Sequence, residues 1–206
     1  LALNKALESD VEWIEADTWW QYGRLETRHE HAIWRLPIRY DEWKLGIALR
    51  PAPRLAEICR LTRDGPHLLI DLKGKARRLP EDIVRALRSE DAIGRSALCG
   101  QVWPLLDVAA KIEPALQVFY SIERRRQLEA LYNRSIQSPP VNGVSCIESL
   151  LTPEVTRWMY GRGYAVFAWT VNSVSRACEL AELGVSGIIT DSDDVIAALD
   201  SKRAGP

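Results

Sequence analysis

The chain has 206 residues, with 27 lysines and arginines against 28 aspartates and glutamates, a formal net charge of -1, 47% hydrophobic residues and 27% charged ones. These values are ordinary for a soluble globular domain and exclude a disordered chain, a collagen-like repeat and a strongly basic nucleic-acid binder. The length suits one sizeable core, so a single domain over residues 1–206 is expected, and no apolar run approaches the roughly 20 residues of a membrane span.

The chain opens on LALNKALESD, which does not read as a signal peptide, and on Leu rather than Met. Its true beginning is therefore expected to lie upstream. From there, short apolar runs of strand length alternate with longer amphipathic stretches. Residues 1–7 read as the end of a helix, residues 11–18 (VEWIEADT) as a strand and 25–30 (LETRHE) as a second, short one. Residues 37–53 form a loop or small insertion, followed by a helix over 55–62 and a strand over 67–73 (HLLIDLK). A helix over 80–89 starts with Pro, where a missing N–H does no harm. A weaker strand over 96–103, a helix over 104–112, a strand over 116–122 and a charged helix over 123–136 come next. A turn over 138–143 leads to a strand over 143–147 and a helix over 152–160, with Thr152 as N-cap and Gly161 or Gly163 as terminator. The remainder reads as a strand over 164–171, a helix over 173–183, a strand over 187–190 and a last helix over 193–201. That makes seven βα units behind an orphan helix. Repeated βα units argue for a parallel sheet. The count predicts an α/β fold, a (β/α)8 TIM barrel without its first strand, since a complete barrel takes about 250 residues. A doubly wound open sheet is the rival fold, weakened because no GxGxxG follows an early strand.

Period-two alternation puts Glu15 and Asp17 on one face at the carboxyl end of the first strand, the end where barrel enzymes build their sites. Two neighbouring carboxylates repel unless a cation lies between them, which points to a divalent metal as readily as to two solvated side chains. In residues 67–73, Leu68, Ile70 and Leu72 face covering helices, and Leu69, Asp71 and Lys73 face the interior. An inward acid and base need a partner, a metal or a bound anion; a structural Asp–Lys pair is the bland alternative. His29 can exchange protons near neutral pH or be a surface residue, and His67, at the wrong end of its strand, reads as structural. Trp169 faces inward near a strand's carboxyl end and could wall a pocket, while Asp191 could line the site. Arg124, Arg125 and Arg126 read as a solvated helix face. The four cysteines, Cys59, Cys99, Cys146 and Cys178, form no CxxC pair and read as reduced residues, mostly core.

Four segments carry a family resemblance: WIEAD at 13–17, GRLETRHE at 23–30, LLIDLKG at 68–74, and GYAVFAWTVNS through GVSGIITD at 163–191. In order and spacing they resemble the glycerophosphodiester phosphodiesterase family, a TIM-barrel family that hydrolyses glycerophosphodiesters to glycerol 3-phosphate and an alcohol with a divalent cation. The resemblance implies Glu15, Asp17 and Asp71 as ligands of Mg2+ or Ca2+ and Lys73 facing the phosphate. It implies His29 as one of two acid–base histidines and Trp169 on the substrate pocket. It further implies a place in lipid and glycerol metabolism, a small-molecule phosphodiester as the partner, no nucleic acid and no integral membrane segment. Oligomeric state stays open, and the compartment too, with the cytoplasm slightly favoured. Several positions depart from the family pattern. The His-Arg-Gly of its first strand is absent, Asp71 replaces a Glu, Glu30 replaces an Asp, and Gln101, Val102 and Trp103 stand where a Ser-Phe pair is expected. Lacking the second histidine, the chain as written is expected to be weakly active or inactive. The alternative function is an impaired barrel that binds a phosphodiester or glycerol phosphate without cleaving it. A more distant one is an unrelated barrel enzyme with Lys73 as a working amine.

Overall fold

Alternating apolar residues build one curled sheet wrapped by helices. The computed structural model describes residues 7, 11–21, 23–28, 31–32, 38–41, 44–47, 52–134 and 141–204. Its strands are β1 (Trp13–Gln21), β2 (Arg24–Thr27), β3 (His31–Ala32), β4 (Ile38–Asp41), β5 (Lys44–Ile47) and β6 (His67–Lys73). β7 (Ser96–Gly100), β8 (Gln117–Ile122), β9 (Gly143–Ile147), β10 (Ala165–Trp169) and β11 (Gly187–Ile188) follow. The helices are α1 (Leu55–Leu61), α2 (Leu79–Ser89), α3 (Trp103–Ile112), α4 (Arg125–Tyr132), α5 (Pro153–Gly161), α6 (Val174–Glu182) and α7 (Asp193–Ala204).

The main sheet runs β11-β10-β9-β8-β7-β6-β1-β2. All its neighbours pair parallel except β2, which runs antiparallel to the end of β1 from Thr18↔Thr27 to Gln21↔Arg24. This is the expected barrel topology of βα crossovers. Among the described residues no strand bridges β11 to the first half of β1, so the barrel is incomplete. Helix ends follow from sequence. The Val155 N–H donates to Thr152 Oγ1 at 3.3 Å and the Arg176 N–H to Ser173 Oγ at 3.4 Å, capping α5 and α6.

Two layers are buried. Outward residues of the strands, among them Leu68, Ile70, Leu98, Val118 and Val166, pack with Ile83, Leu87 and Leu106 of the helices. Inward, Leu69, Ala97, Cys99, Phe119 and Phe167 fill the barrel. Burial on both faces is why these strands read as nearly continuous apolar runs. The interior strand β9 opens on Gly143, where a Cβ would lie 2.0 Å from the Ala165 carbonyl oxygen. No helix among the described residues is long and apolar enough to cross a membrane.

Some boundaries differ from the sequence reading. β1 continues to Gln21 because Trp19 and Trp20 pair with β2. The strand expected over 96–103 stops at Gly100, and Trp103 and Pro104 open α3, since Pro suits a first helical turn. The charged helix ends at Tyr132. Within 37–53, β4 and β5 join β3 in a three-stranded antiparallel sheet, a small insertion with structure of its own. Leu7 is helical; the rest of 1–7 lies outside the described residues.

Candidate active site

Register sets the site. β1 and β6 pair in parallel with Glu15↔Leu69, Asp17↔Asp71 and Trp19↔Lys73. Ile14, Ala16 and Thr18 are buried on the outer face of β1, which turns Glu15 and Asp17 inward. On β6, Leu68, Ile70 and Leu72 join the outer core while Leu69 joins the inner one, so Asp71 and Lys73 continue the inner row. One carboxylate oxygen each from Glu15, Asp17 and Asp71 lies within 4.8 Å of the others. Lys73 Nζ is 3.1 Å from Asp17 Oδ1 and donates a hydrogen bond to Asp71 Oδ2.

The charges respond to one another. Burial raises the Asp71 carboxyl above its ordinary value, against the pull of Lys73. Burial and the charges of Asp17 and Asp71 push Glu15 well above the usual range, again opposed by Lys73. Glu15 is also the most solvent-open of the three, so solvent screens both effects. For Lys73 burial works the other way, but Asp71 and Asp17 outweigh it and hold the ammonium above its ordinary value. Lys73 is therefore protonated at neutral pH, which argues against its use as a free amine.

A raised carboxyl means that the folded chain binds more protons than the unfolded one, so ionised Glu15 weakens the fold. The effect is absent below the ordinary carboxylate pKa and complete above the raised one. In chelator, Glu15→Gln is expected to raise Tm at about pH 7.5 and to leave it unchanged at about pH 4. Solvent screening limits the gain to about 1 kcal/mol, roughly 2–4 °C. Thermal melts at both pH values check this; a lower Tm for the variant at the higher pH contradicts it.

The remaining candidates lie around this cluster. Trp169 ends β10, two residues beyond inward Phe167, and is half-buried at the same end of the sheet as Asp71. Asp191 is exposed, its backbone N–H donating to Asn172 Oδ1 at 3.0 Å. A cleft of about 1000 Å³ runs between β1 and β11, lined by Glu15, Asp17, Thr27, Phe167, Ile188 and Asp191 among others. His29 lies outside the described residues. Its neighbour Arg28 is buried, and the Arg28 N–H donates to the Asp17 carbonyl at 2.9 Å, which ties this segment to the acidic strand. His67 stacks on Trp13 at 4.9 Å at the opposite end of the barrel, a structural placement. Arg124, Arg125 and Arg126 are exposed. All four cysteines are free, and Cys59, Cys99 and Cys146 are buried. Cys99, however, is not plain core. It is the register partner of Asp71, a position that alternation from Ala97 makes inward but that only cross-strand pairing places beside an acid.

A sequence profile described as the glycerophosphoryl diester phosphodiesterase family matches residues 82–195, more than half of the chain. The chain belongs to the glycerophosphoryl diester phosphodiesterase family. With it come the hydrolase class, phosphoric diester hydrolysis, and the fold. The matched span contains Trp169, whereas Glu15, Asp17, Asp71 and Lys73 precede it. Solved structures give the same architecture. A glycerophosphodiester phosphodiesterase from Parabacteroides distasonis superposes with a TM-score of 0.78 at 17% identity, covering 98% of this chain and 89% of that one. One from Thermotoga maritima gives 0.69 at 17%, covering 97% and 88%. An Oleispira antarctica phosphodiesterase, in complex with the product sn-glycerol-3-phosphate, gives 0.74 at 18%, covering 96% and 89%. At such identities the likeness bears on the fold. Curated protein sequences give no match.

Proposed function

We propose that this single barrel domain hydrolyses glycerophosphodiesters to glycerol 3-phosphate and an alcohol with a divalent cation, Mg2+ or Ca2+, held by Glu15, Asp17 and Asp71. The observation that carries the cation is the convergence of three carboxylate oxygens within 4.8 Å. Hard cations take oxygen ligands at about 2.0–2.6 Å, so ligands across one ion stand about 4–5 Å apart. An all-carboxylate set suits Mg2+ or Ca2+ better than a soft metal. Such an ion, when bound, neutralises a nonbridging phosphate oxygen and orients the diester. Product bound to the Oleispira phosphodiesterase supports glycerol 3-phosphate as the released half.

The chain's own groups supply the rest. Lys73, held protonated by Asp71 and Asp17, adds positive charge against the developing transition state. His29 takes the proton of the attacking hydroxyl, from water or from the substrate's own glycerol, or returns one to the departing alcohol. Trp169, at the mouth of the inner face, walls the substrate side.

Release of glycerol 3-phosphate from glycerophosphocholine, followed with and without chelator, tests this function. Release that requires Mg2+ or Ca2+ is the expected result; release indifferent to chelator overturns the cation's role. Tight binding of glycerol 3-phosphate without turnover identifies the alternative, a barrel that holds its ligand uncleaved. In a longer form that supplies the family's second histidine, His29→Ala is expected to cut turnover by about 10²–10⁴-fold while cation binding, read by calorimetry, stays near wild type. Undiminished turnover removes His29 from the chemistry.

A further inference from the structure

Beneath the acidic cluster runs a row of buried polar groups that the proposed chemistry does not use. Asp71 on β6 is the register partner of Cys99 on β7. Cys99 is only 2% exposed, and the register sets it beside Asp71 on the inner face, with Ser121 of β8 as a further polar neighbour. Ser121 is itself 4% exposed and pairs in register with buried Ser145 of β9. The surrounding inner layer, Leu69, Ala97, Phe119 and Phe167, is apolar.

Donor and acceptor roles fix the direction of this row. An ionised carboxylate only accepts, so the Cys99 S–H is the group that can donate to Asp71, and the hydroxyl of Ser121 can donate to the Cys99 sulfur. Asp71 thus has a polar neighbour on two sides, the Lys73 ammonium that donates to it and the Cys99 thiol beside it on β7. Partners of this kind fix the orientation of a metal-ligating side chain, and losing one typically lowers metal affinity by about 10–100-fold.

We propose that Cys99, backed by Ser121, is a positioning residue that aims the Asp71 carboxylate at the point where Glu15, Asp17 and Asp71 converge. This role rests on reading those three acids as cation ligands. The thiol never touches substrate; it acts through Asp71 by limiting rotation of the carboxylate about its side chain. A serine keeps a donor at the position, whereas alanine and valine remove it.

Calorimetric titration of the whole chain with Ca2+ alone, and with Mg2+ alone, tests the role in wild type, Cys99→Ser, Cys99→Ala, Cys99→Val and Ser121→Ala. Cys99→Val removes the donor while keeping the position filled, and stands in where the alanine variant does not fold. A second readout is the rise in Tm on adding saturating cation, which separates affinity from the intrinsic stability of each variant. The expected result is a loss of about tenfold in affinity for Cys99→Ala and Cys99→Val, rescue to within about twofold by Cys99→Ser, and a smaller loss for Ser121→Ala. Wild-type affinity in the alanine and valine variants, or equal loss in serine and alanine, overturns the positioning role alone. A wild-type chain that takes up neither cation overturns the ligand reading and the thiol's role with it.

Discussion

Asp71→Asn is expected to abolish most divalent-cation binding and to lower release of glycerol 3-phosphate by at least about 100-fold. Asparagine has nearly the shape of aspartate, so β6 should keep its pairing with β1 and β7. What changes is charge and donor pattern. The side chain loses the negative charge a hard cation needs, and an amide N–H can face the Lys73 ammonium, donor against donor. Lys73 is then left with Asp17 at 3.1 Å as its partner in the cluster. Asp71→Glu is the informative companion. It restores the charge with one further methylene, and it should retain cation binding and turnover. Titration with Ca2+ and the glycerol 3-phosphate assay read both variants. Wild-type binding by the asparagine variant would remove Asp71 from the cation site.

Gly143→Ala should be the most damaging conservative change in the fold. Gly143 sits in the middle of the sheet, paired with Phe119 of β8 on one side and Ala165 of β10 on the other. An added Cβ would meet the Ala165 carbonyl oxygen at 2.0 Å and the Phe119 ring at 2.8 Å. The first of these is main chain, fixed by the ladder it belongs to, so relief requires β9 and β10 to part. Overpacking of this kind costs about 3 kcal/mol, a fall in Tm of roughly 6–12 °C for a chain of this size. Gly94→Ala is the control, since a Cβ there meets nothing within 4 Å. Melting within about 1 °C of wild type for Gly143→Ala would contradict the predicted clash.

The sequence made the acidic corner legible because a strand's faces follow from parity alone. Residues 67–73 form β6 with the bounds read from the sequence, and the inward placement of Asp71 and Lys73 needs only that alternation. Glu15 and Asp17 follow in the same way. What parity does not supply is which residues stand side by side on neighbouring strands. The pairing of Cys99 with Asp71 is a fact of register, and it converts an ordinary buried thiol into a neighbour of the site. Short strands with mixed polarity were also illegible. IRYD and KLGI, β4 and β5, have neither an apolar run nor clean alternation, and their pairing emerges only in three dimensions. Trp103 looked like the end of a strand because aromatic residues favour sheets; the Pro after it decided for a helix.

The ammonium of Lys73 has a consequence for how the protein matures. Three carboxylates crowded without a counter-charge would strain a newly made chain until an ion arrived, as happens in small domains that remain unfolded without their metal. Here the polypeptide carries its own placeholder, since Lys73 already bonds to two of the three acids. With the three acids read as cation ligands, as proposed above, assembly and loading are thereby separate events. Scarcity of divalent ions should silence the enzyme while leaving its abundance untouched, and resupply should revive existing molecules without new synthesis.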